Sequence, residues 1–76
     1  NLKELNISEN DINKLSIIES LDKLKKVNVS NTLIERIESK DFPKSIKEIL
    51  CSDNIKIGDE IGINFRLDEN GSLIKK

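Results

Sequence analysis

The sequence has no histidine, tryptophan, tyrosine or methionine. Without imidazole, the usual general base and any histidine-assisted nucleophile are missing. The single cysteine, Cys51, cannot form an intrachain disulfide. One thiol with no histidine also argues against a zinc site, and no metal or cofactor is expected. Small secreted domains lean on disulfides, so a reducing compartment is expected: cytoplasm, or host cytosol if the chain is an effector. The aromatic rings are Phe42 and Phe65 alone, and two separated rings make no base-stacking platform. Gly58, Gly62 and Gly71 do not form a phosphate-cradling loop. No apolar run approaches the roughly 20 residues of a membrane helix, so no membrane insertion is expected. Neither charge dominates: 13 Lys and Arg face 14 Asp and Glu, a formal net charge of -1. That balance argues against a nucleic-acid or anionic-membrane partner, both of which need a basic surface.

A period is present instead. Leu2, Leu24 and Ile46 are spaced 22 residues apart, as are Leu5, Val27 and Ile49, and Ile7, Val29 and Cys51. Asn10, Thr32 and Asn54 follow at the same interval. Within each copy the central pair is i, i+2, the alternation of a strand with one buried face. Stacked at this period, three such strands make a parallel sheet whose inward residues form one continuous core. The polar residue after each strand can bond backbone groups where the chain turns away.

These segments resemble the leucine-rich repeat family, whose pattern is LxxLxLxxNxL. Leu2, Leu5, Ile7, Asn10 and Ile12 match it in full. Leu24, Val27, Val29 and Ile34 match a second copy in which Thr32 replaces the asparagine. Ile46, Ile49, Cys51 and Asn54 match a third, whose last position is Lys56 between Ile55 and Ile57. The resemblance implies an α/β fold: a right-handed solenoid with a short parallel sheet of three or four strands and an irregular or short helical convex side. The repeats run over about residues 1–23, 24–45 and 46–57, with 58–76 as a capping segment. Because the chain starts inside a repeat, it reads as a piece of a longer protein. The stretch FPKSIKEI, with its proline ahead of the strand, resembles the bacterial effector type.

On the convex side, Ile12, Leu15, Ile18, Leu21 and Leu24 recur every three residues, which predicts a short helical or 3₁₀ turn near 15–21. In the second copy Ile34, Ile37 and Phe42 fill this side, and Pro43 blocks a continuing helix. The tail breaks the period. Phe65, Leu67, Asn70 and Leu73 suit a shortened fourth turn with Phe65 and Leu67 inward. Asn70-Gly71 equally suits a hairpin with arms Ile63 to Leu67 and Ser72 to Ile74. Both alternatives put a strand over 63–68.

Candidate chemistry is sparse. Cys51 shares the inward column with Ile7 and Val29, the place of a buried structural thiol rather than a nucleophile. Asp68, Asn70 and Ser72 have the spacing that opens a calcium loop, but the later positions of such a loop are missing and a turn is expected. The sequons at Asn6, Asn28 and Asn70 are read as incidental; the first two arise from the repeat itself.

No catalytic residue is expected, and the chain is read as a protein-binding module rather than an enzyme. If Leu5 and Ile7 point inward, then Glu4, Asn6 and Ser8 point outward on the concave sheet face. The matching sets are Lys26, Asn28, Ser30 and Glu48, Leu50, Ser52. Leu50 is an aliphatic residue in an otherwise polar outward column. It is a contact anchor, a residue covered by the tail, or an isolated exposed leucine. The alternatives to a free-standing binding module are a substrate-recognition module of a larger enzyme and a purely structural cap.

Overall fold

A strand of three residues makes too few hydrogen bonds to be stable alone, so its order must come from its neighbours. The computed structural model describes residues 2–13, 15 and 18–76. In chain order the elements are strands β1 (Glu4–Asn6), β2 (Lys26–Asn28), β3 (Arg36–Ile37), β4 (Glu48–Leu50) and β5 (Lys56–Ile57), helix α1 (Asp59–Asn64), and strands β6 (Phe65–Leu67) and β7 (Ser72–Lys75). Short 3₁₀ turns lie at Ile18–Ser20 and Ser39–Asp41.

The 22-residue period is the register of the sheet. Leu5 pairs with Val27 and Val27 with Ile49, all in parallel. Backbone bonds beyond the strands keep the same step: Ile7 N–H donates to Asn28 C=O at 3.0 Å and Val29 N–H to Leu50 C=O at 2.8 Å. Val27, Val29 and Ile49 are fully buried, with Leu24 and Ile46 below them. The same columns are more open in the first copy, where Leu5 and Ile7 are only partly buried and Leu2 is 46% exposed. Among the described residues β1 is an edge strand, with β2 on one side.

Two points differ from the expected sheet of three or four parallel strands. Among the described residues the sheet has five strands, ordered β1-β2-β4-β7-β6, and β7 runs antiparallel to both of its neighbours, β4 and β6. The tail is therefore a hairpin and not a fourth turn. Ile49 pairs with Leu73, which the hairpin thereby delivers to the core. Its strand covers Phe65–Leu67 rather than 63–68, because residues 59–64 form α1. Asp59 and Glu60 suit the positive end of a helix. Ile61 is fully buried and anchors the helix, and Phe65 N–H closes it on Ile61 C=O. Leu67, expected inward in a fourth turn, is 67% exposed, since β6 is the sheet's edge.

The hairpin's connection is fixed by two backbone bonds. Gly71 N–H donates to Asp68 C=O at 3.2 Å and Asp68 N–H to Ser72 C=O at 2.8 Å. Gly71 alone in the turn has positive φ, at 85°. This is a three-residue loop ending in a glycine bulge.

The convex side is mixed. The 3₁₀ turn at Ile18–Ser20 falls within the expected 15–21; Ser16 and Ile17 lie outside the described residues. Ile34, Ile37 and Phe42 are buried as expected. β3 and β5 form a second, two-stranded parallel sheet. Their partners, Arg36 with Lys56 and Ile37 with Ile57, are 20 residues apart, whereas β2 and β4 are offset by 22. The third repeat is thus two residues shorter between its strands. Lys56 therefore pairs with the exposed Arg36 and does not fall in the column of the buried Ile34, which accounts for the mismatch at Lys56; Ile55 beside it is buried. The shortening also changes the turn: Glu9 and Asn31 have φ of 59° and 55°, while Asp53 is not among the positive-φ residues. Gly58 closes the third return path. A β-carbon there would lie 3.0 Å from the Ile37 carbonyl oxygen and would overlap the Glu38 carboxylate.

Replacing Ile49 by Ala removes a fully buried side chain at the centre of the sheet. Chemical denaturation should show a loss of about 2–5 kcal/mol. Leu5→Ala, in the same column but only partly buried, should lose clearly less.

Candidate functional site

Strand alternation and register order the outward face into rows. The first row runs Glu4, Lys26, Glu48, Ile74, Arg66 across all five strands. The second runs Asn6, Asn28, Leu50, Ser72. Ser8, Ser30 and Ser52 follow just beyond the strands. All nine predicted outward residues therefore lie on one surface, none of them fully buried. An open depression of about 310 Å³ lies on this face, lined by Glu4, Leu5, Asn6, Lys26, Asn28 and Leu50.

The polar columns hold the strand ends. Asn6 Oδ1 accepts from Ser8 N–H at 2.9 Å and from its hydroxyl at 2.5 Å. Asn28 Oδ1 repeats the pattern with Ser30, at 3.0 and 2.6 Å. These side chains mimic a backbone turn, so the Asn-x-Ser spacing has a structural use in both copies. Leu50 cannot make this turn. Ser52 compensates: its hydroxyl donates to Asn54 Oδ1 and accepts from Asn31 N–H at 3.2 Å. Asn10 Nδ2 donates to the carbonyls of Ile7 and Ser8, both at 3.1 Å. Thr32, in the same column, makes one such bond, from its hydroxyl to Val29 C=O at 2.9 Å. Among the charges, Lys26 pairs with Glu48 at 3.7 Å. Both side chains are well solvated, so the pair contributes little, on the order of 0–1 kcal/mol.

Leu50 is half-buried. The hairpin does not fold over it, because β7 joins β4 edge to edge and so widens the outward face. Ser72 becomes its direct neighbour, and Ile74, also half-buried, its diagonal one. An aliphatic patch of Leu50 and Ile74 results, with Glu48 and Arg66 in the same row as Ile74. Ile74 and Arg66 were not among the sequence candidates. The repeat period ends before them, and the spacing of the tail could not say which β4 residues they would meet.

Cys51 departs from its expected full burial and is half-buried. Its column neighbour Val29 covers one side. The β4–β7 pairing ends one residue earlier, at Leu50 and Ser72, so no strand partner covers the other. Burial pushes the Cys51 thiol pKa up, and the charge of Asp53 adds to this. In the hairpin, Asp68 Oδ1 accepts from the N–H groups of Asn70 and Ser72 at 2.9 and 2.7 Å, so this carboxylate holds a turn. Among the described residues no group of three acidic or thiol side chains is placed to hold a metal ion. No helix among them is long and apolar enough to cross a membrane.

A family model described as leucine-rich repeats, two copies, matches residues 1–43, more than half of the chain. No curated protein and no solved structure matches.

The raised thiol pKa has two measurable consequences. Alkylation of Cys51 at mildly alkaline pH should be slower than that of free cysteine, and Asp53→Asn should speed it. The neutral thiol is the form the fold favours, so its contribution to stability is complete below the ordinary thiol pKa. It is lost as pH rises through the folded value, a trend that Cys51→Ser should abolish in denaturation series.

Proposed function

The chain belongs to the leucine-rich repeat family, whose domains generally mediate protein–protein interaction, and on that premise we propose that it binds a protein partner across the outward face of its five-stranded sheet. The depression lined by Glu4, Leu5, Asn6, Lys26, Asn28 and Leu50 is the observation that carries this reading. Leu50 serves as the anchor, and Ile74 extends the apolar contact. Asn6, Ser8, Lys26, Asn28, Ser30, Glu48 and Ser52 surround it with hydrogen-bonding groups already ordered by the fold. An apolar centre in a polar rim is the usual anatomy of a protein interface.

The repeats coil as a right-handed solenoid in this reading, and the segment 58–76 ends the stack. The domain acts by binding and not by catalysis. In support, histidine is absent and the one thiol sits where its reactive thiolate is disfavoured. A second reading, a structural cap, is favoured by one observation: β7 occupies the edge of β4 that a further parallel repeat would need.

Capture of partners from the native host should separate the two. A protein retained by the native chain and lost, by at least about tenfold, with Leu50→Glu supports the face as a binding surface. Lys56→Glu, exposed on the convex side, should retain that protein. A cap would show equal behaviour for all three proteins.

A further inference from the structure

The near-zero net charge conceals a separation of charge between the two ends of the sheet. Lys25 N–H donates to Lys3 C=O at 2.8 Å, Lys47 N–H to Lys25 C=O at 2.7 Å, and Lys75 N–H to Lys47 C=O at 2.9 Å. Four lysines thus stand side by side on four adjacent strands, at the end where β1, β2 and β4 begin. Neighbouring strands are about 4.8 Å apart, so the row spans about 14 Å. All four are exposed, and none has an ion-pair partner among the described residues. The opposite end of the sheet carries Glu9, Asp53, Asp68 and Glu69. Like charges on directly opposed residues are unfavourable, so the lysine row is a feature the fold tolerates rather than one that stabilises it.

Beside this row lies a groove of about 320 Å³. Phe42, Pro43, Ile46, Ile61 and Phe65 line it, and Lys75, the last member of the row, forms part of its rim with Lys44. An occupant must therefore satisfy two demands at once, negative charge along the lysines and an apolar group against the groove. We infer that this end of the sheet is a second docking surface, which takes a segment of a partner protein carrying acidic residues interleaved with large aliphatic ones. A nucleic-acid strand meets the first demand only, since it has no aliphatic group to lay in the groove. The surface is separate from the face around Leu50 and does not rest on that reading.

The test uses the whole chain and four fluorescent probes: a short peptide alternating glutamate and leucine, an all-glutamate peptide, a short oligouridylate, and phosphatidylserine-containing vesicles. The alternating peptide should bind, and its affinity should fall as salt screens the lysines. It should bind more tightly than the all-glutamate peptide, which lacks the apolar contact. Lys25→Glu with Lys47→Glu should weaken it by at least about tenfold, and Leu50→Glu should leave it unchanged. Should the charge-reversed chain lose its circular dichroism, Lys25→Gln with Lys47→Gln replaces it, with a smaller loss expected. No binding of the alternating peptide, an unchanged affinity in the lysine variants, or equal binding of the all-glutamate peptide would each overturn the inference. So would tighter binding of the oligouridylate or of the vesicles.

Discussion

Each strand in this protein is only two to four residues long, and everything else depends on how the strands are held beside one another. The parallel hydrogen bonds among β1, β2 and β4 repeat at 22 residues, so every side-chain column of one copy falls beside the same column of the next. Burial follows from that register. Val27 and Ile49, with a neighbour on both sides, are sealed, whereas Leu5, with one, is not. The polar columns obey the same rule. The Asn6–Ser8 and Asn28–Ser30 turns, one step apart, let the chain leave the sheet without stranding backbone groups.

The register ends where β7 joins β4. An antiparallel hairpin needs no long crossover, so a short segment can close an edge that would otherwise require a further full repeat. This closure has consequences on both faces. Inward, Leu73 completes the core against Ile49. Outward, Ile74 and Arg66 lengthen the surface around Leu50. At the end of the sheet Lys75 joins Lys47, and a charge pattern that is balanced over the chain becomes one-sided in space.

The leucine-rich columns, their inward and outward alternation and the buried Ile34, Ile37 and Phe42 were readable without coordinates, and a hairpin around Asn70-Gly71 was one of two alternatives for the tail. Each depends on spacing within about one repeat, where period and backbone geometry determine direction. Helix α1 was not foreseen. Its six residues are too few to show a helical period, and only docking of Ile61 holds them. The exposure of Cys51 was missed for a related reason. Its column predicts its direction but not that the pairing with β7 ends one residue before it.

By itself, the sequence determined the repeat, the face each strand residue takes and the absence of imidazole chemistry, because these follow from local spacing and residue type. The tertiary structure alone decided the register of the tail against β4, the two-residue shortening behind Lys56, the company of Leu50 and the continuation of the lysine row to Lys75. Those features join segments with no common period, and only the packing of one against the other sets which residues meet.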